Sequence, residues 1–242
     1  MPAPDDRITY RRIQSVDLPF VVEQHQQYFP RGFFARLGGR FLTRYYLTYC
    51  TSDDAIAVAA TADGVRAGYM VGTISPQDHR QHILRWHRSA LAVEGALGLI
   101  RHPSLVATFL RTRALLYARK LTSPRTAVLV DADNEKVAVL NHLVVLPQFQ
   151  GQGIASCLIE RLETAAALAG CTSIVLVTET DGQGAAYYHS TGWTVTSART
   201  TRDGQHLTSF SRPILSGTSK ASASADRLSP QNLDARREES VS

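Results

Sequence analysis

A chain of 242 residues is long enough for one well-filled core and marginal for two separate domains. Its 44% hydrophobic and 19% charged residues are ordinary for a soluble globular protein, and a net charge of +5 is too mild and diffuse to argue for nucleic acid, though it suits an anionic ligand. Three cysteines (Cys50, Cys157 and Cys171) without CxxC spacing argue against a disulfide framework and a zinc site, which fits a reducing, cytoplasmic compartment.

Residues 7–14, RITYRRIQ, alternate as a first strand. Asp17 before Leu18-Pro19 is an N-cap signal for a helix running to Pro30. A second helical region, 32–50, breaks at Gly38-Gly39 and carries Phe41, Leu42, Tyr45 and Tyr49 at helical spacing. Residues 55–61 and 66–74 flank Asp63-Gly64 and predict a hairpin. Residues 76–123 are basic, histidine-bearing and helical in pattern, with a break near His102-Pro103. The x2 and x4 spacing of His79, His82 and His87 reads as a solvated helix face, not a metal site.

Residues 136–146 predict a long strand ending at Pro147, followed by a Gly-rich turn and a helix to Gly170. Leu158, Ile159 and Leu162 bury the far side of that helix, and Cys157 is expected to be a buried structural thiol. Residues 172–179, TSIVLVTE, are apolar without alternation and predict a strand buried on both faces. A short helix over 183–190 and a last hairpin around Asp203-Gly204 complete the folded part. From residue 214 onwards the Ser/Ala-rich, charge-mixed tail cannot bury enough surface to offset its ordering entropy, so 214–242 is expected to be disordered. There is no apolar leader at the N-terminus, and the longest apolar stretch, around 90–100, falls short of the ~20 residues of a membrane span.

The turn Gln150-Gly151-Gln152-Gly153-Ile154-Ala155 sets exposed amides and a helix dipole before an anion, while the glycines remove Cβ atoms where it must approach. A dinucleotide fingerprint needs Gly or Ala at 156, where serine stands, and an acidic residue about 20 positions on; Glu179 is too far. A Walker A loop needs a lysine that is not there.

The turn resembles the pyrophosphate-binding motif Gln/Arg-x-x-Gly-x-Gly/Ala of the GNAT superfamily of N-acetyltransferases, preceded by its hydrophobic strand with Val145-x-Pro147. A second segment, DGQGAAYYHSTGW, resembles the family's Asn-x-x-Ala-x-x-x-Tyr-x-x-x-Gly-Phe signature. It aligns Tyr188, Gly192 and Trp193, with Asp181 where asparagine is usual and Gly184 where alanine is. The resemblance spans roughly 7–212 and leaves the 76–123 insertion unexplained.

It implies an α/β (α+β) GNAT acyl-CoA N-acyltransferase fold. The central sheet would be mixed, mostly antiparallel and splayed between its fourth and fifth strands at a bulge near the end of the fourth, with helices on both faces, in a single domain over 1–213. It further implies acetyl-CoA, or another acyl-CoA, as co-substrate, and no metal. The backbone of Leu143, Val144 and Val145 would bind pantetheine and the acyl carbonyl. Gln150, Gly151, Gln152, Gly153, Ile154 and Ala155 would bind the pyrophosphate, and Asp181 and Tyr188 would also contact the cofactor.

The implied reaction is direct attack of an amine on a thioester. Tyr188 is the expected general acid for the thiolate; the alternative for it is a core aromatic beside Tyr187, and one of the adjacent pair is expected to be just that. Family members often have a carboxylate on the fourth strand as base; here Asn141 and His142 stand there, so the base is His142, with the right ordinary pKa, or Glu179 at the end of the fifth strand. Phe29, Phe33 and Phe34 belong to the core or line the acceptor site together with Asn141. A small primary amine, such as an amino sugar or amine-bearing metabolite, is the expected acceptor, because the insertion can close the groove that a peptide needs. The alternatives are a protein lysine or N-terminal acetyltransferase and, in another class, a non-catalytic CoA-binding sensor. A monomer or homodimer with no nucleic-acid or membrane partner is expected.

Overall fold

Alternating apolar residues build one sheet, and two sets of amphipathic helices cover its faces. The computed structural model describes residues 7–101, 106, 135–201 and 204–214. The strands are β1 (Ile8–Arg12), β2 (Ala55–Ala62), β3 (Val65–Thr73), β4 (Val137–Val145), β5 (Ser173–Glu179), β6 (Thr194–Thr200) and β7 (His206–Pro213). They lie in the order β1-β2-β3-β4-β5-β7-β6, with every neighbouring pair antiparallel except β4 and β5. The β2–β3 turn has positive φ at both Asp63 and Gly64, the geometry whose twist matches the strands it joins.

The helices are α1 (Leu18–Tyr28), α2 (Phe33–Arg36), α3 (Gly39–Thr51), α4 (Pro76–His82), α5 (Arg88–Arg101), α6 (Ile154–Leu168) and α7 (Gln183–Ser190). A single π-helical turn, Ile83–His87, joins α4 to α5. On one face Leu158, Ile159 and Leu162 of α6 and Tyr188 of α7 pack on Met70, Leu140, Ile174 and Phe210. On the other, Val21 and Val22 of α1 and Leu42, Tyr46 and Tyr49 of α3 cover Ala57, Tyr69, Val71 and Val144.

Three expectations change. Asp17 stands before α1 but does not cap it: its buried carboxylate accepts two bonds from Arg11, at 2.6 and 2.7 Å, and one from the Gln14 N–H at 2.9 Å. The guanidinium holds the Asp17 carboxyl below the usual carboxylate range, and the carboxylate ties β1 to the start of α1. β5 is not buried on both faces: Ile174 and Leu176 are buried, but Val177 is 49% exposed, because the helices of the second face stop short of this end. Cys157 is only half-buried, whereas Cys171 is buried.

Within the insertion, α5 packs on α2 and α3 through Leu91 and Leu99, which meet Phe33, Phe34, Leu37 and Phe41. Arg40 forms an ion pair at 3.3 Å with the half-buried Glu94. The expected break near His102-Pro103 and most of 102–123 lie outside the described residues, as does the tail beyond 214.

Candidate functional site

The site begins with one extra residue in β4. Val71 pairs with His142 and Gly72 with Leu140, so Asn141 has no partner and forms a β-bulge. The strand closes tightly here: a Cβ on Gly72 would lie 2.9 Å from both the Val139 carbonyl oxygen and Leu162 Cδ2. Side chains normally alternate along a strand, but the extra residue reverses the count. Ala138 and Leu140 face α6, and so do Leu143 and Val145, three and five positions beyond Leu140, while His142 and Val144 turn to α1 and α3. The Asn141 side-chain oxygen is buried without a hydrogen-bond partner among the described residues.

His142 therefore enters an aromatic cluster. Its ring centroid lies 4.8 Å from that of His25, 5.3 Å from Phe29 and 5.9 Å from both Tyr45 and Tyr46. His142 Nε2 is 3.3 Å from the Tyr45 hydroxyl, which shares a 2.7 Å hydrogen bond with Tyr49. A second chain runs from His25 Nδ1 to the Tyr46 hydroxyl (2.7 Å) and on to Tyr69 (2.9 Å). Burial, then the neighbouring His25, pushes the His142 pKa down to about 3; burial alone takes His25 to about 4. Desolvation disfavours the charged imidazolium, so both rings are neutral at physiological pH. Phe29 thus meets His142, whereas Phe34 stacks on Phe41 and Tyr45 beneath α5 with Phe33 beside it.

Beyond the bulge β4 leaves β5. The two strands pair only through Val137–Val139 and Ser173–Val175, so the sheet is splayed from Leu140 onwards. The Leu146 N–H donates to the Ala67 carbonyl, and alternate residues of an antiparallel strand bond to the same neighbour. His142 and Val144 accordingly bond towards β3, and Leu143 and Val145 present their backbone groups to the gap. The Val145 carbonyl is taken by the Gln150 side-chain amide at 3.2 Å, which clamps the following turn to the strand end.

At the end of that gap Gly151 and Gly153 have φ of 76° and 78°, in the left-handed region that favours glycine, and Gly153 is the N-cap of α6. Nothing lies within 4 Å of where their Cβ atoms would be. The N–H groups of Gln152, Gly153, Ile154 and Ala155 have no acceptor among the described residues. Free amides at the positive end of a 15-residue helix make an anion cradle that fits the pyrophosphate of an acyl-CoA.

Tyr188 is buried between Trp193 and Phe210, with ring centroids 5.4 and 5.7 Å away, and its hydroxyl has no hydrogen-bond partner among the described residues. Burial raises its pKa well above the ordinary phenol value, so it keeps its proton. Tyr187 is half-buried and reaches Ser156 Oγ of α6 at 3.2 Å.

Glu179 and Asp181 line an open cleft of about 660 Å³ at the C-terminal end of β5. Arg31 and Arg36, before and within α2, form another side, and Gln205 and His206 at the start of β7 close it. No sequence motif marks the two arginines or His206; only the topology brings the α1–α2 loop opposite the last hairpin. Neither α4 nor α5 contributes to the cleft lining, so the described part of the insertion does not close the groove.

His79 departs from the expected solvated face. It is buried, its ring 4.7 Å from that of Tyr49, and burial lowers its pKa to about 4. His82 and His87 turn towards it, each with Nε2 near the Thr51 hydroxyl, at 3.1 and 3.0 Å. Among the described residues no group of three or more His, Cys, Asp or Glu is placed to hold a metal, and no helix is long and apolar enough to cross a membrane.

Residues 125–193 match the model of the acetyltransferase (GNAT) family. No curated protein matches the chain. The fold is similar to that of Ard1 from Thermoplasma volcanium, at 14% identity and a TM-score of 0.51, covering 86% of this chain and 99% of that one. A putative acetyltransferase of the GNAT family from Desulfovibrio desulfuricans gives a TM-score of 0.50 at 14% identity, with the same coverage of both chains.

Proposed function

We propose that the chain is an acetyl-CoA-dependent N-acetyltransferase acting on a small primary amine in the cytoplasm; its GNAT fold and the match of residues 125–193 to that family's model support the acetyl transfer. The observation that carries this reading is the continuity of the β4–β5 gap with the amide cradle at Gly151–Ala155, which together match an extended pantetheine arm ending in a pyrophosphate.

Bound acyl-CoA supplies a thioester carbonyl and a thiol leaving group; the rest of the chemistry falls to this chain. The free amides of Gln152 to Ala155 hold the diphosphate, and Gln150 keeps the turn against β4. The Leu143 and Val145 backbone binds the arm as an added strand would. A backbone N–H of Leu143 aimed at the carbonyl oxygen stabilises charge developing there, a contribution on the order of a few kcal/mol. The Tyr188 hydroxyl, protonated and without a hydrogen-bond partner among the described residues, is the donor nearest in role for the departing thiolate.

On the acceptor side Glu179 takes the proton that an ammonium must lose before attack, since it opens on the cleft. His142, its pKa held near 3 by burial, has little proton-transfer driving force as a base, so it shapes the inner wall with Phe29.

Thiol release from acetyl-CoA across a panel of primary amines tests the reading. Turnover on free amines supports it. Turnover confined to peptides with an accessible lysine or N-terminus redirects it to protein acetylation, and tight acetyl-CoA binding without turnover on any acceptor marks a sensor.

A further inference from the structure

The acceptor cleft carries a charge pattern more specific than an amine requires. Glu179 and Asp181 suffice to attract an ammonium, yet Arg31 and Arg36 line the same space. Neither guanidinium has an ion-pair or hydrogen-bond partner among the described residues, so neither is tied to a carboxylate there. Both stand on the short α2 segment and the loop before it, which the packing of Ala35 and Leu37 and the left-handed Gly38 hold in place. The other side is equally fixed: Glu179 lies in the β5–β7 ladder opposite Leu207, with His206 next to it.

We propose that the acceptor is a primary amine that also bears a carboxylate, bound with its ammonium towards Glu179 and Asp181 and its carboxylate on Arg31 and Arg36. This rests on the acetyltransferase reading above. A plain alkylamine would leave two guanidinium groups unanswered, and a polyamine would be repelled by them. A dianionic phosphate would meet the guanidiniums but sit against two carboxylates, whereas a singly charged carboxylate leaves the cleft balanced. Arginine also presents paired N–H donors that match the planar carboxylate, and only an anionic acceptor adds charge to that pairing. A cleft of about 660 Å³ is within the range of small-molecule sites.

The test compares kcat/KM for three matched acceptors of one carbon skeleton: the amine with a carboxylate, its primary amide and its phosphonate. With the native chain the carboxylate should be preferred to the amide by about tenfold or more, the equivalent of one charge-assisted hydrogen bond, and also to the phosphonate. In Arg31→Gln/Arg36→Gln the carboxylate-to-amide ratio should collapse towards one, through a rise in KM for the carboxylate. Turnover with a ratio near one in the native chain, or a ratio the double variant does not move, overturns the inference while acetyl transfer stands. Preference for the phosphonate overturns it in favour of a dianionic acceptor. Thiol release with no amine at all removes the acetyltransferase reading and this inference with it.

Discussion

His142 Nε2 lies 3.3 Å from the Tyr45 hydroxyl, and Tyr45 belongs to the helix that covers the sheet face opposite α6. This approach joins the irregular point of β4 to the aromatic cluster of α1 and α3, so the site wall and the second core are one body. His25 contributes a second neutral imidazole to the same cluster.

Acid should unfold the protein early for this reason. The folded pKa of His25 is about 4 and that of an exposed histidine about 6.5, so between them the unfolded chain binds more protons than the folded one. Stability is therefore full above pH 6.5 and falls as pH drops through that window, by up to about 3 kcal/mol for His25 alone. Urea midpoints should drop between pH 7 and pH 5, and His25→Gln should flatten the slope. Equal midpoints at the two pH values in the native chain would mean that the buried imidazoles are not held neutral.

Gly153→Val should spare the fold and remove cofactor binding. Nothing surrounds the missing Cβ, so the change costs only about 1–2 kcal/mol of left-handed strain. The added methyls stand before the free amides, and breaking each amide hydrogen bond to a diphosphate weakens binding by roughly tenfold or more. Calorimetric titration with CoA reads this directly; unaltered affinity in a folded variant would exclude this turn as the diphosphate site.

Tyr188→Phe should lower kcat by about 100-fold, the usual scale for loss of a general acid. CoA affinity should hold, because the ring stays packed on Trp193 and Phe210. The hydroxyl has no partner among the described residues, so the melting temperature should change little. An unchanged kcat would leave Tyr188 as a core residue only.

Gly98→Ala should loosen the insertion. A Cβ there would sit 2.5 Å from the Leu37 carbonyl oxygen at the α2–α3 junction, so α5 must move off that junction at a cost of about 1–3 kcal/mol. Hydrogen exchange should quicken across α5 while β4 and α6 stay protected, and uniform quickening would instead indicate global destabilisation.

Most of the framework was legible in the chain. Asp63-Gly64, the apolar spacing of Leu158, Ile159 and Leu162, and Gly151 with Gly153 each act through local chemistry that a sequence displays directly. What escaped depends on partners far along the chain. Asp17 looks like a cap because its position is right, yet Arg11 captures its carboxylate. His79 looks solvated until α4 lays it on Tyr49. Val175 and Val177 look buried because apolarity alone does not reveal where the covering helices end. The resemblance implies a bulge in the fourth strand, but nothing in the composition places it at Asn141, and Arg31 and Arg36 come to line a cleft only when the last hairpin faces them.

The extra residue in β4 has one more consequence, which concerns length, not identity. Exchanging Asn141 for another side chain leaves the count along the strand intact. Deleting it would advance everything downstream by one place: His142 and Val144 would turn to α6, Leu143 and Val145 would meet the tyrosines, and the gap would receive the wrong amides. In this segment side chains can be exchanged without moving the register, but the strand cannot be shortened without reversing its faces.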